Sequence, residues 1–110
     1  MDKKINRKDW LDFSDQFSDE NQGRPIKLER LDEVEGDEVL IINSPLFDLD
    51  FDHHGDGSIM IVTGEGTQTL THTISNPATI WVDKDSNGKV LAMEILTNDN
   101  SKTILQFMDL

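Results

Sequence analysis

Hydrophobic positions along this chain change period once, near residue 23. Between Asn6 and about Asp19 the apolar residues recur at helical spacing. Trp10, Phe13 and Phe17 fall at i, i+3 and i+7, with Leu11 alongside, and make one apolar stripe on a polar segment. Asn6 offers an N-cap, and Asp9 three residues on completes a loose capping box. Asn21-Gln22-Gly23 closes the helix, with Gly23 as its stop. The stripe is expected to be core, so all three aromatic side chains should be buried against whatever follows.

From Arg24 onward the period is two. Ile26 and Leu28 alternate with Lys27 and Glu29, and Asp32 to Asp37 form an acidic turn around Gly36. Glu38 to Ile42 is a short apolar run, after which Pro45 should break or bend the chain. Leu46 to Asp52 alternates apolar and acidic residues, and His53 to Gly57 reads as a loop. Ser58 to Val62 is apolar on both faces, as a central strand would be. Gly64-Glu65-Gly66 turns the chain into Thr67 to Ile74, where Thr67, Thr69, Thr71 and Thr73 share a face. Asn76-Pro77 and Asn98 to Ser101 are further turns, separating Thr79–Asp83, Lys89–Thr97 and Lys102–Met108. The predicted fold is α+β: an N-terminal helix packed on a bent antiparallel sheet or partly open β-barrel of about six to seven strands, as a single domain over residues 1–110.

Composition narrows the function classes. The chain has 110 residues, a hydrophobic fraction of 35% and a net charge of −12. Such a surface repels phosphate backbones, which argues against nucleic acid as a partner. Its simpler role is to keep a small protein soluble. There is no Cys, so disulfides, thiolate metal sites and thiol nucleophiles are excluded. The basic cluster Lys3, Lys4, Arg7 and Lys8 has no apolar stretch behind it, so a secretory signal is not expected; it reads as the solvated start of the first helix. No apolar run approaches the roughly 20 residues of a membrane helix.

One segment matches a chemical motif. Asp83-Lys84-Asp85-Ser86-Asn87-Gly88 through Glu94 fits the EF-hand loop D-x-[DN]-x-[DN]-G-x5-E. Asp83, Asp85 and Asn87 would supply oxygens to calcium, and Glu94 would close the shell with two. The motif needs a helix on each side. Here Thr79 to Val82 is rich in β-branched and aromatic residues, follows a proline, and reads as a strand. If Val90 to Leu96 is a strand too, Glu94 lies on the order of 20 Å from Gly88 and cannot reach back to the ion. Asp-Ser-Asn-Gly is then a hairpin turn.

Other constellations have plainer readings. Asp48, Asp50 and Asp52 share a strand face, opposite Phe47, Leu49 and Phe51, but at about 7 Å spacing they cannot all ligate one ion. His53, His54 and Asp56 follow in a loop and are read as solvated, with a metal site as the alternative. His72 alternates with Leu70 and Ile74, so it should face the apolar side of its strand and be buried and hydrogen-bonded. Glu94 is expected to be partly buried and ion-paired with Arg24, Arg30 or Lys102.

Several of these pieces together resemble a known family. Trp10-x-x-Phe13-x-x-x-Phe17-Ser18, Gly23-Arg24 leading to Leu28-Glu29, Ile59-Met60-Ile61-Val62-x-Gly64, His72-Thr73-Ile74-x-x-Pro77, Ala92-Met93-Glu94-Ile95 and Thr103-Ile104-Leu105-x-Phe107 resemble the domain-of-unknown-function family DUF5335 over nearly the whole chain. The resemblance implies a stand-alone bacterial, cytosolic domain and supplies no catalytic residues. Over only a dozen residues the Asp-x-Asp-x-Asn-Gly turn also resembles the end of another small β family, DUF2283, as shared hairpin grammar.

The expected function is therefore general: a small, acidic, soluble, non-enzymatic domain that acts by protein interaction or oligomerisation, without a cofactor. Its partner is expected to be another protein, or a second copy in a homodimer, in the cytoplasm, with neither nucleic acid nor membrane involved. Two alternatives stay open. One is a calcium-binding protein using Asp83, Asp85, Asn87 and Glu94. The other is a small metal-dependent or His-based hydrolase using His72 or the Asp48–Asp56 cluster.

Overall fold

The computed structural model describes residues 2–110. In chain order the elements are β1 (Asp2–Ile5), a one-turn 3-10 helix (Arg7–Asp9), α1 (Trp10–Asn21), β2 (Pro25–Asp32), β3 (Gly36–Phe51), β4 (Ile59–Glu65), β5 (Gln68–Ile74), β6 (Pro77–Lys84), β7 (Val90–Thr97) and β8 (Ser101–Phe107). The strands form one 8-stranded sheet in the order β1-β6-β7-β8-β2-β3-β4-β5. Every pairing is antiparallel. The helix and the bent antiparallel sheet match the sequence pattern. The strand count and the barrel match only roughly: among the described residues there are eight strands, and the sheet stays open, with β1 and β5 as its outer strands.

The differences have local causes. The basic start of the chain is a strand rather than the start of a helix: Ile5 stands opposite Ile80 and Lys4 opposite Trp81. The α-helix begins only at Trp10, and neither Asn6 nor Asp9 makes a side-chain capping hydrogen bond. Pro45 does not end its strand. β3 runs through it for 16 residues. Pro45 stands opposite Pro25, where neither residue has an N–H to lose. A bulge just before it places Asn43 at φ 56 and bends the strand.

That bend lets β3 change partners. Before Pro45 it pairs with β2; from Leu46 on it pairs with β4. The edge released below the bend is closed by the end of α1 and the segment after it. Gly23 N–H donates to Leu46 O at 2.8 Å, and Leu46 N–H donates to Arg24 O at 2.9 Å. Ser18 Oγ accepts from Leu49 N–H at 2.9 Å and lies 3.0 Å from Leu49 O and 2.8 Å from Ser14 O, the two acceptors open to its single proton. Gly23, at φ +89, makes the turn that brings the chain from helix into β2.

One buried cluster joins all of this. Trp10 and Phe17 of α1 meet Ile26, Leu28, Leu49, Ile61, Leu105 and Phe107 of the strands. Trp10 packs edge-on against Phe51 with centroids 5.5 Å apart, and its Nε1–H donates to Ile5 O at 3.2 Å. Phe17 lies 5.9 Å from Phe107. Phe13 touches Phe17 but sits at the rim, only partly buried. Arg24 stacks at 3.8 Å over Phe107 and grips Asp109 through Nε at 3.0 Å and Nη2 at 2.9 Å. This pairing holds the Asp109 carboxyl below the usual carboxylate range.

In denaturant unfolding, Phe17→Ala should cost about 3–5 kcal/mol, as expected for an aromatic truncated in a closed core. Phe13→Ala should cost clearly less, because its site already opens to solvent. Ser18→Ala leaves the Leu49 backbone groups without their partner and should cost about 1–3 kcal/mol. Equal losses for Phe13 and Phe17 would contradict the observed docking of the helix.

Candidate interaction edge and inter-sheet cleft

An open sheet leaves rows of unpaired N–H and C=O groups, and proteins normally guard them. Here four edges need guarding. The upper half of β3, unpaired on the side away from β2, carries Asp37 and Glu38. β1 is four residues long and carries Lys3 and Lys4. The lower half of β3 is covered by Ser18, Gly23 and Arg24. β5, Gln68-Thr69-Leu70-Thr71-His72-Thr73-Ile74, has neither device: it carries no charge and no proline, and only β4 lies beside it. It lies within a longer stretch, Gly66 to Val82, that holds no Asp, Glu, Lys or Arg, in a chain that is 29% charged. That gap in the charge pattern was the available sequence signal for this edge. It is easily passed over because uncharged Thr-rich alternation reads simply as a strand.

The faces of β5 follow from its register with β4. Ile59 pairs with Ile74, Ile61 with His72 and Thr63 with Leu70, so Leu70, His72 and Ile74 all face inward. Their burial is graded, because the β4–β5 hairpin overhangs the core. Ile74 is 7% exposed and Leu70 is 60% exposed. His72 lies at the boundary. This corrects the expectation of a buried, hydrogen-bonded histidine. His72 lines an inter-sheet cleft of about 350 Å³, and its Nε2 is enclosed without a hydrogen-bond partner among the described residues.

The opposite wall of the cleft comes from β2 and β8. Their inward pairs run Ile26 with Phe107, Leu28 with Leu105, Arg30 with Thr103 and Asp32 with Ser101. The first two pairs are core and the next two are polar; Arg30, Thr103 and Ser101 line the cleft. Asp99, at the β7–β8 turn, also lines it. Its carboxylate accepts from the Thr97 hydroxyl and from Ser101 N–H, and these bonds hold it below the usual carboxylate range. Desolvation pushes the His72 imidazole below its ordinary value of 6.5.

The EF-hand-like segment is a β-hairpin. β6 precedes it and β7 follows it, with Asp83 opposite Ala92 and Trp81 opposite Glu94. Asp85 organises the turn: its Oδ1 accepts from Asn87 N–H and Lys89 N–H, both at 2.9 Å. Gly88 sits at φ +83. Asp83 and Glu94 reach the outer face beside Trp81, and Glu94 lies 3.8 Å from Lys102 Nζ, one of its expected partners. Asp85 and Asn87 remain in the turn. His53 and His54 are exposed, with ring centroids 3.8 Å apart, and Asp56 Oδ1 accepts from Ser58 N–H. The bulge between Leu46 and Asp48 breaks the simple alternation there, so Phe47 is turned outward while Leu46 and Leu49 are both buried. Among the described residues no three His, Cys, Asp or Glu side chains are grouped to share a metal ion.

These features define a small helix-plus-open-sheet domain with one unguarded edge. The chain belongs to the family of unknown function DUF5335, whose model matches residues 1–109. It is similar to a protein of Aquifex aeolicus (strain VF5) described as an uncharacterized protein, with 27% identity over 104 residues that cover 94% of this chain and 89% of the relative. No solved structure matches it. Among the described residues no helix is long and apolar enough to cross a membrane.

Two measurements bear on these groups. His72 has a folded pKa below its unfolded value, so below about pH 6.5 the unfolded chain takes up a proton that the folded one refuses. Its contribution is therefore lost as pH falls through that value, and His72→Gln should remove this part of the pH dependence of unfolding. A His72→Gln variant with an unchanged profile would show that the imidazole is freely solvated. Calcium titrated calorimetrically should give no stoichiometric micromolar binding; one ion bound at that affinity would revive the reading of Asp83, Asp85, Asn87 and Glu94 as ligands.

Proposed function

We propose that this chain is a non-enzymatic, cytoplasmic association module in which β5 of one copy pairs antiparallel with β5 of a second. The observation that supports this most directly is the unguarded β5 edge beside three guarded ones. Edge pairing supplies main-chain hydrogen bonds without special side chains, and a two-fold axis makes the contact self-complementary. Charge favours the same surface. Two copies at −12 each repel. They can approach at least Coulomb cost where neither carries charge, and the β5 edge is such a place.

Full overlap of the two strands fixes the register. Gln68 then stands opposite the second copy's Ile74, Leu70 opposite the second copy's His72, and Thr71 opposite itself on the axis. Leu70, left 60% exposed in one copy, would be covered.

Light scattering on a size-exclusion column should give the mass of a dimer, and Leu70→Lys should give a monomer of unchanged fold. Because the chain has no native Cys, register can be read by crosslinking. Directly opposed Cα atoms lie about 4.5–5.5 Å apart, within disulfide reach. Thr71→Cys should crosslink under mild oxidation, and Thr69→Cys, placed opposite the second copy's Thr73, should not. A chain that stays monomeric at the highest concentration reached overturns the proposal.

A further inference from the structure

We propose that the cleft between β5 and the β2–β8 pair binds a small organic carboxylate, held between the Arg30 guanidinium and the His72 imidazole. This site does not depend on β5 pairing. A dimer can form without it, and it can fill in a monomer.

The geometry comes first. At about 350 Å³ the cleft falls in the size range of small-ligand sites, roughly 300–1,000 Å³. It sits between two layers of sheet, where the inward positions of β2 and β8 change from Leu28 and Leu105 to Arg30 and Thr103. Ser101 and Thr103 are buried at 6% and 5% exposure, which puts hydroxyls on the cleft wall where Leu28 and Leu105 give way to polar positions. His72 approaches from the other wall with Nε2 enclosed and unpartnered. A buried polar atom without a partner is a cost to the fold. A ligand atom at that point would remove the cost.

The charges select the ligand class. Two carboxylates stand near Arg30, and neither fills its fork. Asp32 Oδ1 accepts from Val34 N–H and Glu35 N–H, and its Oδ2 meets Arg30 Nη2 only at 3.5 Å. Asp99 is taken up by Thr97 and Ser101. Most of the Arg30 fork is left free, and a planar two-oxygen acceptor is its natural complement. A phosphate dianion would meet more repulsion from Asp32, Asp99 and the net charge of −12, so a monoanion is favoured. The charged groups facing His72 across the cleft are Arg30 of β2 and Asp99 of the β7–β8 turn; β4 beside it offers apolar Ile61. An anion bound here would favour the imidazolium and turn Nε2 into a donor toward the second carboxylate oxygen.

The test is a two-dimensional NMR titration of the full chain with sodium acetate, against sodium chloride at matched ionic strength. Saturable shifts at His72, Ser101 and Thr103, with a rise in the His72 pKa, are expected for acetate and not for chloride. Inorganic phosphate should bind more weakly. Arg30→Gln should abolish the saturable shifts, and Arg30→Lys, which keeps the charge and loses the fork, should weaken them several-fold. If Arg30→Gln does not fold, His72→Gln serves in its place. Non-saturating shifts identical for acetate and chloride, or acetate binding undiminished in a folded Arg30→Gln or His72→Gln variant, overturn the proposal. A short peptide with a free C-terminal carboxylate, set against its amide, distinguishes the source. Tighter binding than acetate, lost in the amide, identifies a polypeptide terminus. Binding no tighter than acetate identifies a free small carboxylate.

Discussion

β3 carries two halves of this molecule on one backbone, and the rest of the structure depends on how its bend is sealed. When a strand leaves one partner for another, it exposes backbone donors and acceptors on the side it has left. Buried without partners, such groups cost a large part of a small domain's stability. Here the seal is made by Gly23, Arg24 and Ser18, so the helix replaces the strand that β3 lacks below Pro45. This explains why α1 lies where it does. Its aromatic stripe supplies apolar burial, and the Ser18 hydroxyl fixes its position along the strand.

Folding the sheet about that bend brings β5 over β8 and β2 and creates both notable surfaces. The overhang of the β4–β5 hairpin leaves its outer edge unpaired and opens a gap beneath it. The core fills this gap only as far as Leu28, Leu105 and Ile74. Beyond that line the inward positions are polar, and His72 stands at the border with one nitrogen enclosed and unpaired. The edge and the cleft are thus two sides of one geometric fact: the sheet curls without closing.

The acidic composition also has a structural share. Asp32, Asp56, Asp85 and Asp99 each accept backbone N–H bonds at the turn or loop they occupy. Short aspartates suit this task because the side chain reaches the amides two or three residues ahead. The Glu35 and Val34 amides depress the Asp32 carboxyl pKa, and the Ser58 and Thr97 hydroxyls, followed by backbone N–H bonds, depress those of Asp56 and Asp99, so the support these contacts give is present above the ordinary carboxylate range and lost in acid. The EF-hand-like string belongs to this set. An alternating Asp and Asn run ending in Gly serves a tight hairpin as well as it serves an ion, and the flanking strands decide between the two structures.

The sequence by itself determined the elements whose causes are local. The stripe of Trp10, Phe13 and Phe17 specified a helix with a buried face. Period-two alternation from Ile26 onward specified strands, and Gly23 and Asn87-Gly88 specified where the chain turns. Family membership was legible in the same way, since its motifs are mostly core positions. Tertiary structure decided what depends on distant partners. Lys3 and Lys4 became a strand only because β6 offered an edge. Pro45 was tolerated because Pro25 stands opposite it. Leu70, His72 and Ile74 share a face in the sequence pattern, but which of them is buried was settled by how far the hairpin overhangs the core. Period reports the face a side chain points toward; whether anything fills the space on that face depends on the rest of the chain.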